Sequence, residues 1–296
     1  MCNPKTRQEG DYTLTLLTNG GFILNKDFIA KHWYASMYEQ TENQTNDVDF
    51  LLNVLSTETG GTQQTILEVA CGGGRICIPL AEAGHKVTAF DIDEHALLRC
   101  YRRTKNLPNI NIYHADASEI DWGHDFDVVL MAGNLLINIE SDKDYSDTQR
   151  LFIQKAACAL KTGGHLYLDF DLHLNPEKVF NRLGERSYFN GVDEYGTKGK
   201  TVSYGSVYNP VTQICSGVNH WELTMNNGEP FIRSMCWYKY IPTQSQVYSW
   251  LAEAGFVIER TYHNYTNMPV PEPIDETTFR VTIWARKNNF CPSEQT

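Results

Sequence analysis

ILEVACGGGRICIPLAEAGHKVTAFDID, residues 66–93, is the stretch on which the fold turns. The apolar run Ile66, Leu67, Val69 has the character of a buried strand, and Cys71-Gly72-Gly73-Gly74 lets the chain reverse sharply into a helix. A second buried run, Lys86 to Phe90, ends on an acid, Asp91. Strand, glycine turn, helix and a strand with a terminal carboxylate form half of a nucleotide-binding βαβ unit. In such a unit backbone N–H groups and the acid meet a ribose-bearing ligand at the strand ends. A ligand is therefore expected over Gly72, Gly74 and Asp91.

Two cofactor classes share this geometry. A dinucleotide site wants G-x-G-x-x-G and places a pyrophosphate on the helix N-terminus, but Cys77 stands where the third glycine would be. The sequence offers Glu68, Ala70, Gly72 and Gly74 instead, an E-x-A-x-G-x-G pattern that resembles motif I of the class I S-adenosylmethionine-dependent methyltransferases. The resemblance implies that Glu68 and the turn backbone hold the methionine part of that cofactor and that Asp91 takes both ribose hydroxyls. It extends the cofactor site to Ala70, Ile92, Ala117 and Met131, and it places Asp116 beside the exocyclic amine of adenine, where a carboxylate can accept a hydrogen bond. A nicotinamide- or flavin-dependent oxidoreductase, and a cofactor-binding module without transfer activity, stay open as alternatives.

The chain has 296 residues, enough for one large domain or two small ones, and an ordinary balance of apolar and charged residues. A formal net charge of −11 and the lack of any basic block argue against nucleic acid as a partner. The eight cysteines are scattered, without C-x-x-C pairs or Cys/His clusters, so neither a disulfide framework nor structural zinc is expected. No signal-peptide layout or membrane-spanning stretch is visible, which predicts a cytoplasmic protein; a small-molecule acceptor as its partner is what the likeness of Gly133-Asn134 to small-molecule methyltransferases implies.

Working outward, residues 1–60 read as a helical lead-in and lid. A polar stretch through Gly20-Gly21 is expected to fold over the site, followed by helices over Asn25 to Tyr38 and Asp47 to Ser56. The aromatics of the first helix either pack or, as Tyr34 or Tyr38, close the cofactor pocket. Downstream come a helix over Glu94 to Arg103, a strand over Ile110 to His114 and a central strand over Asp125 to Met131. The last runs into Ala132-Gly133-Asn134-Leu135-Leu136-Ile137-Asn138, at the strand end where open α/β sheets place their chemistry. No N-P-P-Y motif stands there, which argues against nucleobase or glutamine amines as acceptors. Gly133-Asn134 resembles the glycine N-methyltransferase-like and sugar-amine N,N-dimethyltransferase groups. That likeness makes Asn134 the leading acceptor-binding and catalytic residue, with Asn138 beside it.

A helix over Asp147 to Leu160, a turn at Lys161-Thr162-Gly163-Gly164 and a strand over His165 to Phe170 follow. Residues 172–240 then alternate in the manner of antiparallel strands and hairpins, an insertion expected to cover the acceptor and to contribute Arg233 to it. A helix over Thr243 to Ala254 and strands over Phe256 to Tyr262 and Thr278 to Arg286 complete a cofactor-binding core of residues 61–171 and 241–288, with a tail at 289–296. The expected fold is α/β: a doubly wound, seven-stranded, mostly parallel sheet of the Rossmann-like methyltransferase kind with an antiparallel β insertion.

Two departures from the glycine N-methyltransferase pattern bear on specificity. Asp171 falls where that enzyme has an arginine gripping its substrate carboxylate, so an amine or polyol acceptor is favoured over an amino acid. No Lys or Arg lies between Glu39 and Asp49, which leaves Arg75 or Lys31 to pair with the cofactor carboxylate. Asp169, Asp171 and His173 share one strand face in the manner of a magnesium cluster, but the end of the preceding strand supplies no further carboxylate, and no metal is expected.

Overall fold

The computed structural model describes residues 26–41 and 45–288. The lead-in expected to fold over the site, the start of the first helix at Asn25 and the tail lie outside the described residues. Two helices, α1 (Lys26–Thr41) and α2 (Asn46–Glu58), precede β1 (Thr65–Val69), α3 (Cys77–Glu82), β2 (Lys86–Asp91), α4 (Glu94–Thr104), β3 (Ile110–His114) and β4 (Phe126–Met131). Then come α5 (Leu135–Asn138), α6 (Tyr145–Ala159), β5 (Leu160–Asp171) and α7 (Pro176–Phe180). Four strands follow: β6 (Arg182–Val192), β7 (Lys198–Asn209), β8 (Ile214–Thr224) and β9 (Pro230–Tyr240). The described chain closes with α8 (Gln244–Glu253), β10 (Phe256–His263) and β11 (Arg280–Lys287).

Seven strands form one sheet in the order β10-β11-β5-β4-β1-β2-β3. The pairs among β1 to β5 are parallel, and β11 runs antiparallel to both β5 and β10. This is the Rossmann-like methyltransferase arrangement with its reversed last strand. Alternation along the strands sends Leu67 and Val129 into a core shared with α6 and α8, and Ile66 and Val128 into one shared with α2, α3 and α4. Both faces are thus covered, as near-continuous apolar strands require. The strand order reverses between β1 and β4, and open α/β sheets place their ligand crevice at the carboxyl ends on either side of such a switch.

Where a free turn is expected at residues 161–164, the strand already begins at Leu160, directly after α6. The physical reason is Gly164: a Cβ there would stand 3.0 Å from the backbone oxygens of Phe126 and Asp127, so only glycine lets this segment lie against the start of β4.

The four insertion strands form a separate antiparallel sheet, β6-β7-β8-β9. Its inner face packs on α1 through Trp33, Met37, Phe189, Trp221 and Leu223. Tyr34 stacks on Trp221 at 4.9 Å with the rings within 1° of parallel, and Trp33 Nε1 donates to Gly191 O at 3.3 Å. The first helix is therefore a layer of the insertion sheet. No helix among the described residues is long and apolar enough to cross a membrane.

Candidate active site

After β1 the chain enters positive φ at Ala70 (59°), Gly72 (53°) and Gly74 (88°). The three successive glycines do different jobs. A Cβ at Gly72 or Gly73 would meet nothing within 4 Å, so these two leave open space above the turn. At Gly74 a Cβ would stand 2.5 Å from Cys100 Sγ and 2.8 Å from Ile78 Cδ1, so this glycine lets the turn sink onto α4. Cys77, at the place of a third dinucleotide glycine, is fully buried with its sulfur 3.9 Å from that of Cys100.

Two carboxylates frame the turn. Asp91 accepts from the Gly72 N–H at 2.7 Å and from the Asp93 N–H at 2.7 Å, and burial holds its carboxyl above the ordinary range. Glu68 is 3% exposed; burial raises its pKa well above the usual value, and its Oε2 has no hydrogen-bond partner among the described residues. Desolvating a carboxylate oxygen without a partner is costly, so this one is shaped to receive a donor from outside the chain. Asp116 turns back on its own loop, accepting from the N–H and Oγ of Ser118 at 2.9 and 2.7 Å.

These groups open onto a cavity of ≈ 1230 Å³. Of the residues expected at the site, Tyr38, Glu68, Ala70, Gly72, Arg75, Asp91, Ile92, Asp116, Ala117 and Asn138 line it. Gly74, Met131, Asn134, Asp171 and Arg233 do not. Met131 is fully buried in the core, and Arg233 pairs with Asp27 at 2.8 Å, both side chains about half exposed. Arg75 lines the cavity while bound to Asp47 at 2.8 Å; Lys31 is exposed on α1.

Asn134 and Asp171 occupy each other. Asn134 Nδ2 donates to Asp171 Oδ2 at 2.8 Å, and the Asp171 N–H donates to Asn134 Oδ1 at 2.8 Å. Behind them Asp169, 1% exposed, accepts from the N–H groups of Gly133 and Asn134 at 3.2 and 2.7 Å, and the Arg280 guanidinium bridges Asp169 at 3.2 Å and Asp171 at 2.6 Å. The free carboxylate expected at Asp171 is accordingly absent, because Arg280 on β11 neutralises it. The assembly fixes the backbone turn after β4 from behind the cavity wall. Among the described residues no three His, Cys, Asp or Glu side chains are grouped to hold a metal ion.

Several lining residues escaped the sequence reading. Arg99 and Arg103 of α4 and Glu39 of α1 line the cavity. Arg99 pairs with Glu39 and, at 2.8 Å, with Glu194 in the β6–β7 turn, which also accepts from Ser36 Oγ at 3.0 Å. Burial opposes ionisation of Glu194, but its own backbone N–H, Arg99 and Ser36 pull it down to about 2. One knot thus ties together α1, α4 and the insertion. Opposite, the wall carries Glu140, Asp142, Tyr145, Tyr188, Trp237 and Lys239. Nothing in the local pattern of β9 sets Lys239 apart from any strand lysine; only pairing with β8 and approach to α5 bring it to the cavity.

Residues 66–164 match a family described as a methyltransferase domain. A ubiquinone biosynthesis O-methyltransferase from Chelativorans sp. (strain BNC1) is 32% identical over 109 residues, 35% of this chain and 38% of that protein. The chain spans 29–45% of the length of the curated relatives it matches. Among solved structures, an S-adenosylmethionine-dependent methyltransferase from Clostridium acetobutylicum ATCC 824 superposes with a TM-score of 0.66 at 15% identity, over 90% of this chain and 100% of that one. The sugar N-methyltransferase KedS8 from Streptoalloteichus sp ATCC 53650 gives 0.64 at 15% identity, over 95% and 100%.

Proposed function

We propose, from the premise that this chain carries a class I S-adenosylmethionine-dependent methyltransferase domain, that it moves the methyl group of S-adenosylmethionine to an amine of a small molecule. The observation that carries the reading is the pairing of an unpartnered, buried Glu68 oxygen with Asp91 across the open Gly72-Gly73 turn, all on one cavity. A cofactor with an ammonium group and a ribose diol fits that donor set: Glu68 would take the ammonium and Asp91 the two hydroxyls, with Asp116 toward the adenine amine. A pyrophosphate fits poorly between two carboxylates.

When bound, S-adenosylmethionine supplies an already activated electrophilic methyl. The remaining task is to hold a lone pair in line, which is worth up to about 7–11 kcal/mol in well-oriented systems. Tyr145, Tyr188, Trp237 and Tyr238 wall the cavity and exclude water from the attacking group. Glu140 and Asp142 give that wall a negative character suited to an amine. A similarly folded chain being a sugar N-methyltransferase supports the small-molecule reading. Residues 172–240 act as the acceptor cover and residues 61–171 with 241–288 as the cofactor core.

Calorimetry with S-adenosylmethionine and with nicotinamide and flavin dinucleotides tests the cofactor. Thermal shift adds a second measure, since a ligand at a hundred times its Kd contributes about 2.7 kcal/mol. Release of S-adenosylhomocysteine is then followed over a panel of primary and secondary amines, phenols and sugars. Binding of a dinucleotide in place of S-adenosylmethionine would end this reading.

A further inference from the structure

The insertion wall holds one group that methyl transfer alone does not explain. Lys239 projects from β9 into the cavity, where its Nζ contacts Asn138 Oδ1 of α5 at 2.5 Å and lies 5.9 Å from the centre of the Trp237 ring. Asn138 is the one side-chain acceptor within hydrogen-bond reach of this nitrogen among the described residues, which leaves it further capacity toward the cavity. Asp171 is nearby but committed to Arg280 and Asn134, and Glu140 stands on the loop after α5. Burial lowers the Lys239 pKa, with Asp171 first, then Cys215 of β8 and Glu140, opposing that shift; His173, beyond β5, also feels its charge.

An amine acceptor presents a difficulty that a sulfonium cannot remove. Free aliphatic amines are protonated near neutral pH, and an ammonium has no lone pair with which to attack. Ammonium ions are also what an acidic cavity attracts. We propose that Lys239 is the side chain that takes the proton from the amine acceptor. This rests on the methyl-transfer reading above. The acceptor N–H bond breaks, its proton binds the lone pair of a neutral Lys239 Nζ, and the electron pair left on the acceptor nitrogen forms the new N–C bond as the S–C bond breaks toward sulfur. The resulting Lys239 ammonium is held by Asn138 and returns its proton to water. A lysine suits the task because desolvation shifts its pKa readily, whereas an arginine stays charged.

The full chain, saturated with S-adenosylhomocysteine, is reductively methylated with carbon-13 formaldehyde, and its dimethyl-lysine resonances are followed against pH. One resonance, absent from Lys239→Arg, is expected to titrate below all the others. Lys239 titrating together with the surface lysines overturns the proposal. Turnover of the best amine of the panel is then compared in Lys239→Met and Lys239→Arg. Both variants are expected to lose about 100-fold or more in kcat near pH 7 and to recover toward pH 10, where the amine is itself unprotonated. A uniform loss across pH, or rescue by Lys239→Arg, means an anchoring role and sinks the proposal. Failure of the wild-type chain to bind S-adenosylmethionine removes the methyl-transfer reading instead, a result the Lys239 titration does not mimic.

Discussion

The Asp91 carboxylate accepts a hydrogen bond of 2.7 Å from the Gly72 N–H, so the acid ending β2 and the turn leaving β1 are locked to each other before any ligand arrives. Preorganisation of this kind lowers the ordering cost of binding. Asp91→Ala removes both the lock and the two acceptor oxygens that the proposed function assigns to the ribose. Hydrogen bonds to charged groups contribute about 1.5–3 kcal/mol each, so S-adenosylmethionine affinity is expected to fall at least tenfold. Asn134→Ala, acting behind the cavity wall, is expected to shift affinity by less than about threefold while lowering stability by about 1–3 kcal/mol through the unpaired Asp171 N–H. Calorimetry and denaturant titration of both variants check this division; equal losses of affinity would refute it.

Glu68→Gln separates stability from binding. Burial raises the Glu68 pKa in the folded chain, so the folded state binds the proton more tightly than the unfolded one. The ligand-free chain therefore loses stability as pH rises from the unfolded value, about 4.3, through the folded one. The glutamine variant lacks that slope. It is expected to be more stable than the parent by about 1–2 kcal/mol near pH 8, with the gain shrinking toward pH 4, and to bind S-adenosylmethionine more weakly. Melting curves across pH with and without cofactor give both signs, and a variant less stable at pH 8 contradicts the account.

The glycines of the turn are unequal. Gly74→Ala forces a Cβ to 2.5 Å from Cys100 Sγ in a conformation alanine resists, at an expected cost of about 2–4 kcal/mol. Gly73→Ala adds a methyl group to open space and is expected to change stability by less than about 0.5 kcal/mol. Comparable melting temperatures for the two would mean that the α4 contact is not as tight as drawn.

Arg280→Met leaves Asp169 buried without its cationic partner. Breaking such a pair from one side costs about 3–5 kcal/mol. Adding Asp169→Asn in the same chain is expected to restore part of the loss, which chemical denaturation of the single and double variants measures. An additive second loss would show that the pair is not the source.

The wall of the cavity around the glycine turn was legible because it is local. Glu68, Ala70, Gly72 and Asp91 lie within one βαβ unit, and the period of the strands, the turn and the terminal acid carry the geometry without help from distant chain. The antiparallel insertion was legible for the same reason, through its alternation and the breaks at Asn209-Pro210 and Asn226-Asn227-Gly228. Local pattern is silent where side chains meet from far apart. Asn134 stands at the strand end where an acceptor contact is expected, but its amide is claimed by Asp171, which Arg280 from the last strand holds in turn. Glu194, Arg99 and Glu39 look like solvated surface charges one at a time and become a knot only when three elements converge. Lys239 carries no local mark at all.

Among the described residues the strands of the insertion pair only with one another, and the chain departs the larger sheet at Asp171 and rejoins it through α8. With α1 stacked beneath it, this unit forms a layer of its own, tied to α4 through the Glu194–Arg99 pair. If the proposed reading holds, exchanging this unit between chains of the same architecture is expected to change which compound is alkylated while Glu68, Asp91 and the Gly72-Gly73 turn stay in place.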